Sequence, residues 1–234
     1  MKIAVLSAGA WGTALALHLA RQHHVALWTR NREHLEAMRA SRANHLYLGD
    51  YPFPGALQVE ADLHGVLNSA DLILSSVPTA GFRHILKEIR ASGTRAPLVW
   101  ACKGLESFTA KMTHEVAAEE LPAGYRYGIL SGPSFANEVA RGLPTAMTLA
   151  SADAAFAREA AAAMHGGNVR VYTSTDVVGV AVGGALKNVM AIAAGISDGM
   201  GFGNNARAAL ITRGLAEITR FGMALGGRQE TFMG

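Results

Sequence analysis

The sequence predicts an α/β fold in which helices cover both faces of a parallel sheet, followed by an all-helical region. Short apolar runs bounded by turn residues recur along the first 175 residues, with helical patterns between most of them. This alternation is typical of buried parallel strands. Beyond that point strand patterns stop and two long helical runs follow. With 234 residues, 50% of them hydrophobic, the chain can bury a sizeable core.

The predicted elements follow from these apolar runs. In chain order the predicted strands are residues 2–6, 24–28, 71–77, 96–102, 127–132, 145–150 and 168–176. The later helical runs cover residues 177–197 and about 205–224. The change of pattern predicts a domain boundary near residue 175, with an α/β domain over 1–175 and the N-terminal part of a helical substrate and dimerisation domain over 176–234.

The apolar run 177–197 is long enough to suggest a membrane span. Lys187 and Asn188 lie at its centre, however, and a central lysine costs about 2.5–3.5 kcal/mol on an insertion scale. The surrounding Ala, Gly and Val residues are too weakly apolar to offset this. We therefore predict a buried helix in a soluble protein without a membrane span.

Composition and charge narrow the class of protein. The net charge is +3 and the basic residues are scattered, which favours anionic small ligands over nucleic acid. Cys102 is the only cysteine, so an internal disulfide is excluded, and we predict that this thiol is buried packing. No histidine spacing indicates a metal site. No signal peptide precedes the first strand, so we expect a cytoplasmic protein.

The first predicted strand leads into an S-x-G-x-x-G turn formed by Ser7, Gly9 and Gly12. A helix and a second strand follow, which is the setting of the dinucleotide site in a Rossmann-type, doubly wound sheet. Ser7 replaces the usual first glycine and costs about 1–2 kcal/mol if the backbone there has positive φ. The N–H groups around Ala10 and Trp11 can still bind a pyrophosphate. We predict that residues Gly9, Ala10, Trp11 and Gly12 bind the cofactor.

The loop after the second strand indicates which cofactor is preferred. NAD sites carry an acidic residue about 20 residues beyond the glycines, which binds the ribose 2′-OH. Here Arg30 and Arg32 occupy this region and no acid precedes Glu33. Since arginine suits a 2′-phosphate, NADPH is the predicted cofactor and NADH remains possible. The alternative is that both arginines are solvated loop residues.

Two lysines are candidate site residues. Lys187 lies on the 177–197 helix among small residues such as Gly183 and Gly184. A lysine held there is poorly solvated, which lowers its pKa and suits general acid–base catalysis; a lysine that extends to the surface is an equal alternative. Lys103 follows the strand 96–102 at the carboxyl end of the sheet, where ligands bind. An exposed loop lysine is the alternative there.

Two further loops follow strands. In SGPSFA, Pro133 suits the first turn of a helix, which would direct the N–H groups of Gly132, Ser134 and Ala136 towards the cleft. A plain Gly-Pro turn is the alternative. The loop 75–79 would line the cofactor from a neighbouring strand.

Together these stretches resemble the bacterial NAD(P)-dependent glycerol-3-phosphate dehydrogenases. The motifs are SAGAWGTALA, ACKGLE, SGPSFANEVARGLPTAM, GGALKNVMAIAAGISDGMGFGNNARAALITRGLAEITR and TFMG. The resemblance runs from the first strand to the last residue. It implies reduction of dihydroxyacetone phosphate to sn-glycerol 3-phosphate for glycerophospholipid biosynthesis. It also implies a Rossmann-type domain followed by an all-helical domain, in a homodimer.

The resemblance also assigns roles to residues. It implies that Lys187 is the catalytic lysine, which protonates the substrate carbonyl oxygen, and that Asn188 beside it orients the substrate. It implies that Lys103 meets both substrate and cofactor. The other residues that it assigns are Gly132 and Ser134 for substrate and Ala136 for cofactor.

Two departures from the family limit these expectations. One is Ser7. The other is that the family continues after TFMG into Gly-Asp-Leu and Ser-Arg-Asn motifs, which supply a carboxylate beside the lysine and an arginine–asparagine pair that binds the phosphate. We therefore expect a truncated chain that binds NADPH and turns over poorly or not at all. The alternatives are another NADP-linked β-hydroxyacid-type dehydrogenase and a non-catalytic dinucleotide-binding fragment.

Overall fold

The computed structural model describes residues 1–233, so Gly234, the last residue of the predicted helical part and of the TFMG motif, lies outside the described residues. The strands are β1 (Lys2–Leu6), β2 (His24–Trp28), β3 (Leu57–Glu60), β4 (Leu72–Ser75), β5 (Leu98–Trp100), β6 (Tyr127–Ser131), β7 (Thr145–Ala150) and β8 (Val169–Ser174). The helices are α1 (Ala10–Leu19), α2 (Arg32–Ser41), α3 (Leu63–Ser69), α4 (Thr79–Ser92), α5 (Thr113–Glu120), α6 (Ala136–Ala140), α7 (Ala154–Met164), α8 (Val177–Gly199), α9 (Gly203–Ala224) and α10 (Glu230–Met233).

The strands form one sheet in the order β3-β2-β1-β4-β5-β6-β7-β8. The predicted fold class is confirmed: a Rossmann-type, doubly wound sheet is followed by helices. The sheet is parallel except at one place, where β6 and β7 pair antiparallel, with Leu130 opposite Leu149. The helix between them, α6, packs against α1 instead of crossing over the sheet, so the chain re-enters the sheet in the opposite direction.

One strand was missed by the sequence analysis. The strand β3 has only two apolar residues, Leu57 and Val59, and both are buried while their neighbour Gln58 is exposed. This short alternation at the sheet edge is weaker than the continuous apolar runs of the central strands. The strand pairs in parallel with β2, so that Leu57 lies opposite Val25.

The sheet separates two hydrophobic cores. Because alternate residues of a strand face opposite sides, Ile3 and Val5 of β1 lie in one core while Ala4 and Leu6 lie in the other. The helices α1, α2 and α7 cover the first core; α3, α4, α5 and the first half of α8 cover the second. Both faces of the sheet are therefore covered, as predicted.

The prediction that the 177–197 helix is buried was wrong for its second half. The segment Val180–Val182 belongs to the second core, whereas Val189, Ile192 and Ile196 are 60%, 65% and 57% exposed. Beyond the sheet α8 packs mainly against α9, which is itself largely exposed. Within residues 1–233 it is the one helix long and apolar enough to cross a membrane, by length and composition only.

Asp176 links the start of α8 to the end of the chain. Its buried carboxylate accepts a hydrogen bond from the Gly179 N–H at 2.8 Å through Oδ1. Its Oδ2 accepts from the Arg228 N–H at 2.8 Å and from the Thr231 hydroxyl at 2.6 Å. Burial alone would raise the pKa of this carboxyl, but the three hydrogen bonds outweigh it and hold the pKa below its ordinary value.

We expect Asp176→Ala to lower the free energy of unfolding by about 3 kcal/mol, because three donors lose a charged acceptor. The lowered pKa means that this stabilisation is complete above the ordinary carboxyl pKa of 3.8 and is lost as pH falls through the folded value. Urea unfolding at neutral and acid pH measures both effects. Asp62→Ala is the matched control, since the Asp62 carboxylate caps α3 by accepting a hydrogen bond from the Gly65 N–H. Equal small losses in the two variants would contradict the role of Asp176 as a link.

Candidate active site

The predicted dinucleotide turn lies at the carboxyl end of β1. Gly9 is the N-cap of α1, and the Thr13 N–H donates to the Gly9 carbonyl at 2.9 Å. The N–H groups at the start of α1, from Ala10 to Gly12, have no carbonyl partner within the helix and are free to bind an anion. Since β1 lies between β2 and β4, the turn occupies the point where the strand order reverses, which is where ligands bind in this fold.

The two glycines of the turn have different surroundings. A Cβ added to Gly12 would lie 2.0 Å from the Ser7 carbonyl oxygen and 2.3 Å from Ser76 Oγ, so only glycine allows this helix to approach this strand. A Cβ on Gly9 would meet nothing nearer than Ser7 Oγ at 3.9 Å. The open space over Gly9 and the free N–H groups fit the pyrophosphate of a dinucleotide.

The backbone at Ser7 is strained. Its φ is +89°, a region that L side chains rarely adopt, so the strain anticipated for a serine at this position is present. The cost is about 1–2 kcal/mol. The turn nevertheless keeps its hydrogen bonds, since the Ser7 N–H donates to the Trp28 carbonyl at 3.1 Å.

Arg30 lies at the same edge of the sheet. In the parallel pairing of β1 and β2, Leu6 lies opposite Trp28, so the loop after β2 starts beside the dinucleotide turn. Asn31 ends this loop and caps α2 by accepting a hydrogen bond from the His34 N–H at 3.0 Å. The side chain of Arg30 is exposed.

The two predicted lysines meet at one carbonyl group. Lys103 follows β5 and Lys187 lies in the middle of α8, yet both Nζ atoms donate to the carbonyl oxygen of Gly132, at 3.4 and 2.5 Å. A Cβ on Gly184 would lie 2.8 Å from Ser131 Oγ, so this glycine lets α8 approach the end of β6. Residues that are 84 positions apart in the chain (187 − 103) are thus brought together.

This lysine pair brings two amino groups close together, which lowers the pKa of one of them. Burial, and then the neighbouring Lys187 ammonium, lower the pKa of Lys103 to about 7. A cavity of about 800 Å³, open to solvent, lies beside the pair and is lined by Gly132, Pro133, Gly183 and Lys187, among others. A cavity lined by the Lys187 amino group, with Lys103 at the same Gly132 carbonyl, suits a small anionic substrate such as a phosphate ester.

We expect Lys103→Met to stabilise the fold in a pH-dependent way. With a folded pKa of about 7 and an ordinary value of 10.5, Lys103 binds fewer protons in the folded chain between these pH values, so stability rises with pH there. Below pH 7 Lys103 is charged in the folded chain and the full free-energy cost of burying that charge is present. The free energy of unfolding of Lys103→Met should therefore exceed that of the unmodified chain most at about pH 6. Urea unfolding from about pH 6 to 9 measures the difference.

Lys87→Met is the matched control, because Lys87 is an exposed lysine on α4. Its effect on stability should not change with pH over this range. A gain from Lys103→Met that is equally independent of pH would contradict the lowered pKa.

The loop that carries Lys103 is fixed by charges that the sequence analysis did not identify. Arg83 on α4 donates to both carboxylate oxygens of Glu106, each at 2.7 Å, and to Glu120 of α5 at 2.6 Å. The Arg83 guanidinium holds the pKa of Glu106 at about 2. The Thr79 hydroxyl also donates to the Lys103 carbonyl at 2.9 Å. No periodic pattern marks these residues, since they come from separate elements.

The SGPSFA loop differs from its prediction. The helix α6 begins at Ala136, with Phe135 as its N-cap, so Pro133 precedes the helix and the prediction that it opens the first turn was wrong. A Cβ on Gly132 would lie 2.7 Å from the Ala146 carbonyl oxygen. This close approach to β7 keeps the loop along the sheet, and Gly132 and Ser134 therefore lie outside the helix.

Other residues singled out from the sequence have plainer surroundings. Asn188 is exposed although Lys187 beside it is half-buried. Cys102 is buried, and burial raises the pKa of its thiol to about 12, which fits packing and not a nucleophile. In the part of the chain that the structure describes, no group of three or more His, Cys, Asp or Glu residues could hold a metal ion.

Comparison with known families and proteins gives a consistent result. The family model described as NAD-dependent glycerol-3-phosphate dehydrogenase N-terminus matches residues 2–157, and the corresponding C-terminus model matches residues 176–234. A curated glycerol-3-phosphate dehydrogenase (NAD(P)+) of Methylobacillus flagellatus is 66% identical over 234 residues, which cover all of this chain and 71% of the relative. A protein of the same name from Nitrosospira multiformis is 58% identical, with 100% and 72% covered.

Solved structures agree in fold. The crystal structure of glycerol-3-phosphate dehydrogenase from Coxiella burnetii matches with a TM-score of 0.93 and 44% identity, over all of this chain and 72% of that one. The structure of the yeast enzyme GPD1 matches with a TM-score of 0.84 and 28% identity, over 99% of this chain and 73% of that one.

Proposed function

We infer the function from the family, because this chain belongs to the NAD-dependent glycerol-3-phosphate dehydrogenases. It is an oxidoreductase that interconverts dihydroxyacetone phosphate and sn-glycerol 3-phosphate with NAD(P). One observation supports the roles of individual residues: the amino groups of Lys103 and Lys187 both donate to the Gly132 carbonyl. This carbonyl lies at the carboxyl edge of the sheet, which is also the edge of the dinucleotide turn.

The chemistry divides between cofactor and protein. A bound reduced nicotinamide supplies the hydride. The Lys187 ammonium holds a proton at the cleft and donates it to the substrate carbonyl oxygen, where negative charge develops. Lys103 binds the substrate phosphate and contacts the cofactor. An anionic substrate beside it favours the protonated form of Lys103, so that two ammonium groups can face one phosphate.

The remaining roles orient the two ligands. We assign Gly132, Ser134 and Asn188 to the substrate and Ala136 to the cofactor, together with the residues of the dinucleotide turn, Gly9, Ala10, Trp11 and Gly12. The substrate residues flank the lysine pair in the chain or in space. The cofactor residues lie in the turn after β1 and at the starts of α1 and α6, the helices that follow β1 and β6.

We further propose that NADPH is preferred over NADH because Arg30 binds the 2′-phosphate. Arg30→Ala should weaken NADPH binding about tenfold or more and leave NADH binding nearly unchanged, because only NADPH carries the 2′-phosphate that Arg30 would bind. Titration of each variant with both cofactors, followed by nicotinamide fluorescence, measures this. Arg95→Ala is the control, because that exposed arginine precedes β5 at the opposite edge of the sheet. Equal losses for both cofactors would contradict the assignment.

Two features of organisation follow, the division of the chain at residue 175 and the assembly of two chains. We propose a dinucleotide-binding domain over residues 1–175 and a helical part over 176–234, in a cytoplasmic homodimer. No strand follows β8 in the described residues, which supports the division. Apolar residues of α8 and α9 are exposed in the single chain, and a second copy would cover them in the proposed dimer. Sedimentation at several concentrations tests the dimer; a monomer throughout would contradict it.

A further inference from the structure

The strained turn at Ser7 raises the question of what holds it in shape. A positive φ at a residue other than glycine persists only where the surroundings over-determine the backbone. Ser7 has φ +89°, and its carbonyl oxygen lies where a side chain on Gly12 would have to be. The turn cannot relax without changing how α1 begins, and α1 carries the N–H groups proposed to bind the cofactor.

One contact comes from Ser76, which follows β4. Its hydroxyl lies 3.1 Å from the Ser7 carbonyl oxygen and 3.1 Å from that of Leu6, and it donates to this pair. Its backbone N–H also donates to the Leu6 carbonyl at 3.0 Å. Ser76 therefore holds the peptide groups on both sides of the strained residue, through the Leu6 carbonyl before it and the Ser7 carbonyl after it.

A second contact comes from Asn44, which follows α2 and is 1% exposed. Its Nδ2 donates to the Ala8 carbonyl at 2.8 Å and to Thr13 Oγ1 at 2.7 Å. Its Oδ1 accepts from His34 Nε2 at 2.9 Å and from the Tyr47 N–H at 3.3 Å. Because both ends of the amide have partners, its orientation is fixed and its donor faces the turn.

We propose that Asn44 and Ser76 are positioning residues for the dinucleotide, which hold the strained turn at Ser7 in its binding conformation. Neither needs to touch the cofactor. Without the hydrogen bonds from Asn44 and Ser76, the strain drives part of the population out of this conformation. The apparent affinity for the dinucleotide then falls in proportion to the population that is lost. The inference rests on the dinucleotide binding proposed above.

A double-mutant cycle between Ser7 and Ser76 tests the proposal. Ser76→Ala should weaken NADPH binding about tenfold in the unmodified chain, because the strained turn relaxes. In the Ser7→Gly background the same change should weaken binding less than about twofold, because glycine adopts positive φ without strain. Equal losses in both backgrounds, or no loss in either, would overturn the proposal.

Asn44→Ala should show the same dependence on residue 7. Since Asn44 is fully buried and its loss could prevent folding, the half-buried Ser76 carries the decisive comparison. Ser92→Ala is the matched control, because its hydroxyl donates to the Ile89 carbonyl at 2.8 Å within α4, away from the turn. Its effect on NADPH binding should be negligible in both backgrounds.

Hydrogen exchange of the Thr13 amide separates this inference from the proposed function. That N–H donates to the Gly9 carbonyl, so its protection reports on the turn without any cofactor. Ser76→Ala should speed its exchange with Ser7 present and not in the Ser7→Gly background. If the unmodified chain bound neither NADPH nor NADH, the proposed function would be wrong. If Ser76→Ala left exchange of the Thr13 amide unchanged, the positioning role of Ser76 would be wrong, whatever the cofactor result.

Discussion

Lys187→Ala should reduce the rate of dihydroxyacetone phosphate reduction by at least about a thousandfold while NADPH binding stays within about twofold. The reason is that Lys187 is the proposed proton donor to the carbonyl oxygen, and a positioned general acid contributes about 10²–10⁴ in rate. Its Nζ lies at the Gly132 carbonyl beside the cavity and outside the dinucleotide turn. Single-turnover mixing with enzyme in excess over NADPH, followed by nicotinamide absorbance, measures the rate.

Two further results make the role of Lys187 specific. Added ethylammonium should restore part of the rate of Lys187→Ala, because it replaces the missing proton donor. The pKa of Lys103 should rise in Lys187→Met, because the charge of Lys187 is one cause of its lowering. Carbon-labelled dimethyl-lysine NMR measures that pKa without turnover. Lys87→Met, the exposed control, should change neither quantity, and a Lys187→Ala enzyme that kept a tenth of the rate would contradict the assignment.

Gly12→Ala should abolish cofactor binding and destabilise the fold. A Cβ at this position would lie 2.0 Å from the Ser7 carbonyl oxygen, and this backbone atom cannot swing aside as a flexible side chain would. Either α1 moves away from β1 or the turn opens, and both changes move the N–H groups away from the proposed pyrophosphate position. We expect at least about a hundredfold loss of NADPH affinity and about 3 kcal/mol of lost stability.

Two other glycines divide these effects. Gly9→Ala adds a Cβ that meets nothing nearer than 3.9 Å, so stability should hold while a side chain on the open face weakens cofactor binding. Gly81→Ala lies in α4 with nothing within 4 Å of its added Cβ and should change neither binding nor stability for the worse. Fluorescence titration and urea unfolding of the three variants measure both quantities. A Gly12→Ala chain as stable as Gly81→Ala would contradict the packing role.

The sequence predicted well what depends on local pattern. The dinucleotide turn follows from the spacing of Gly9 and Gly12 between a strand and a helix, and the fold class from the alternation of apolar runs. Lys103 was placed at the carboxyl edge of the sheet because it follows a buried strand. These features are encoded over a few residues, and the parallel topology then brings strand ends together.

What the sequence did not reveal depends on contacts between distant segments. Nothing in the spacing of Lys103 and Lys187 says that both reach one carbonyl, since that requires α8 to return to the end of β6. Asn44 and Arg83 were missed because each is a single polar residue whose partners come from other elements. The buried half of α8 was predicted, but the exposed half was not, because apolar composition does not say what packs against it.

The proposed function is the reduction of a phosphorylated ketone beside Lys103 and Lys187, by a hydride from NADPH bound at the Gly9–Gly12 turn. The most direct test mixes the chain, in excess over NADPH, with dihydroxyacetone phosphate and separately with acetoacetate, a simple β-keto acid. We expect nicotinamide absorbance to fall with dihydroxyacetone phosphate alone, with formation of an equal amount of sn-glycerol 3-phosphate. Oxidation with acetoacetate, or bound NADPH that is oxidised by neither compound, would contradict it.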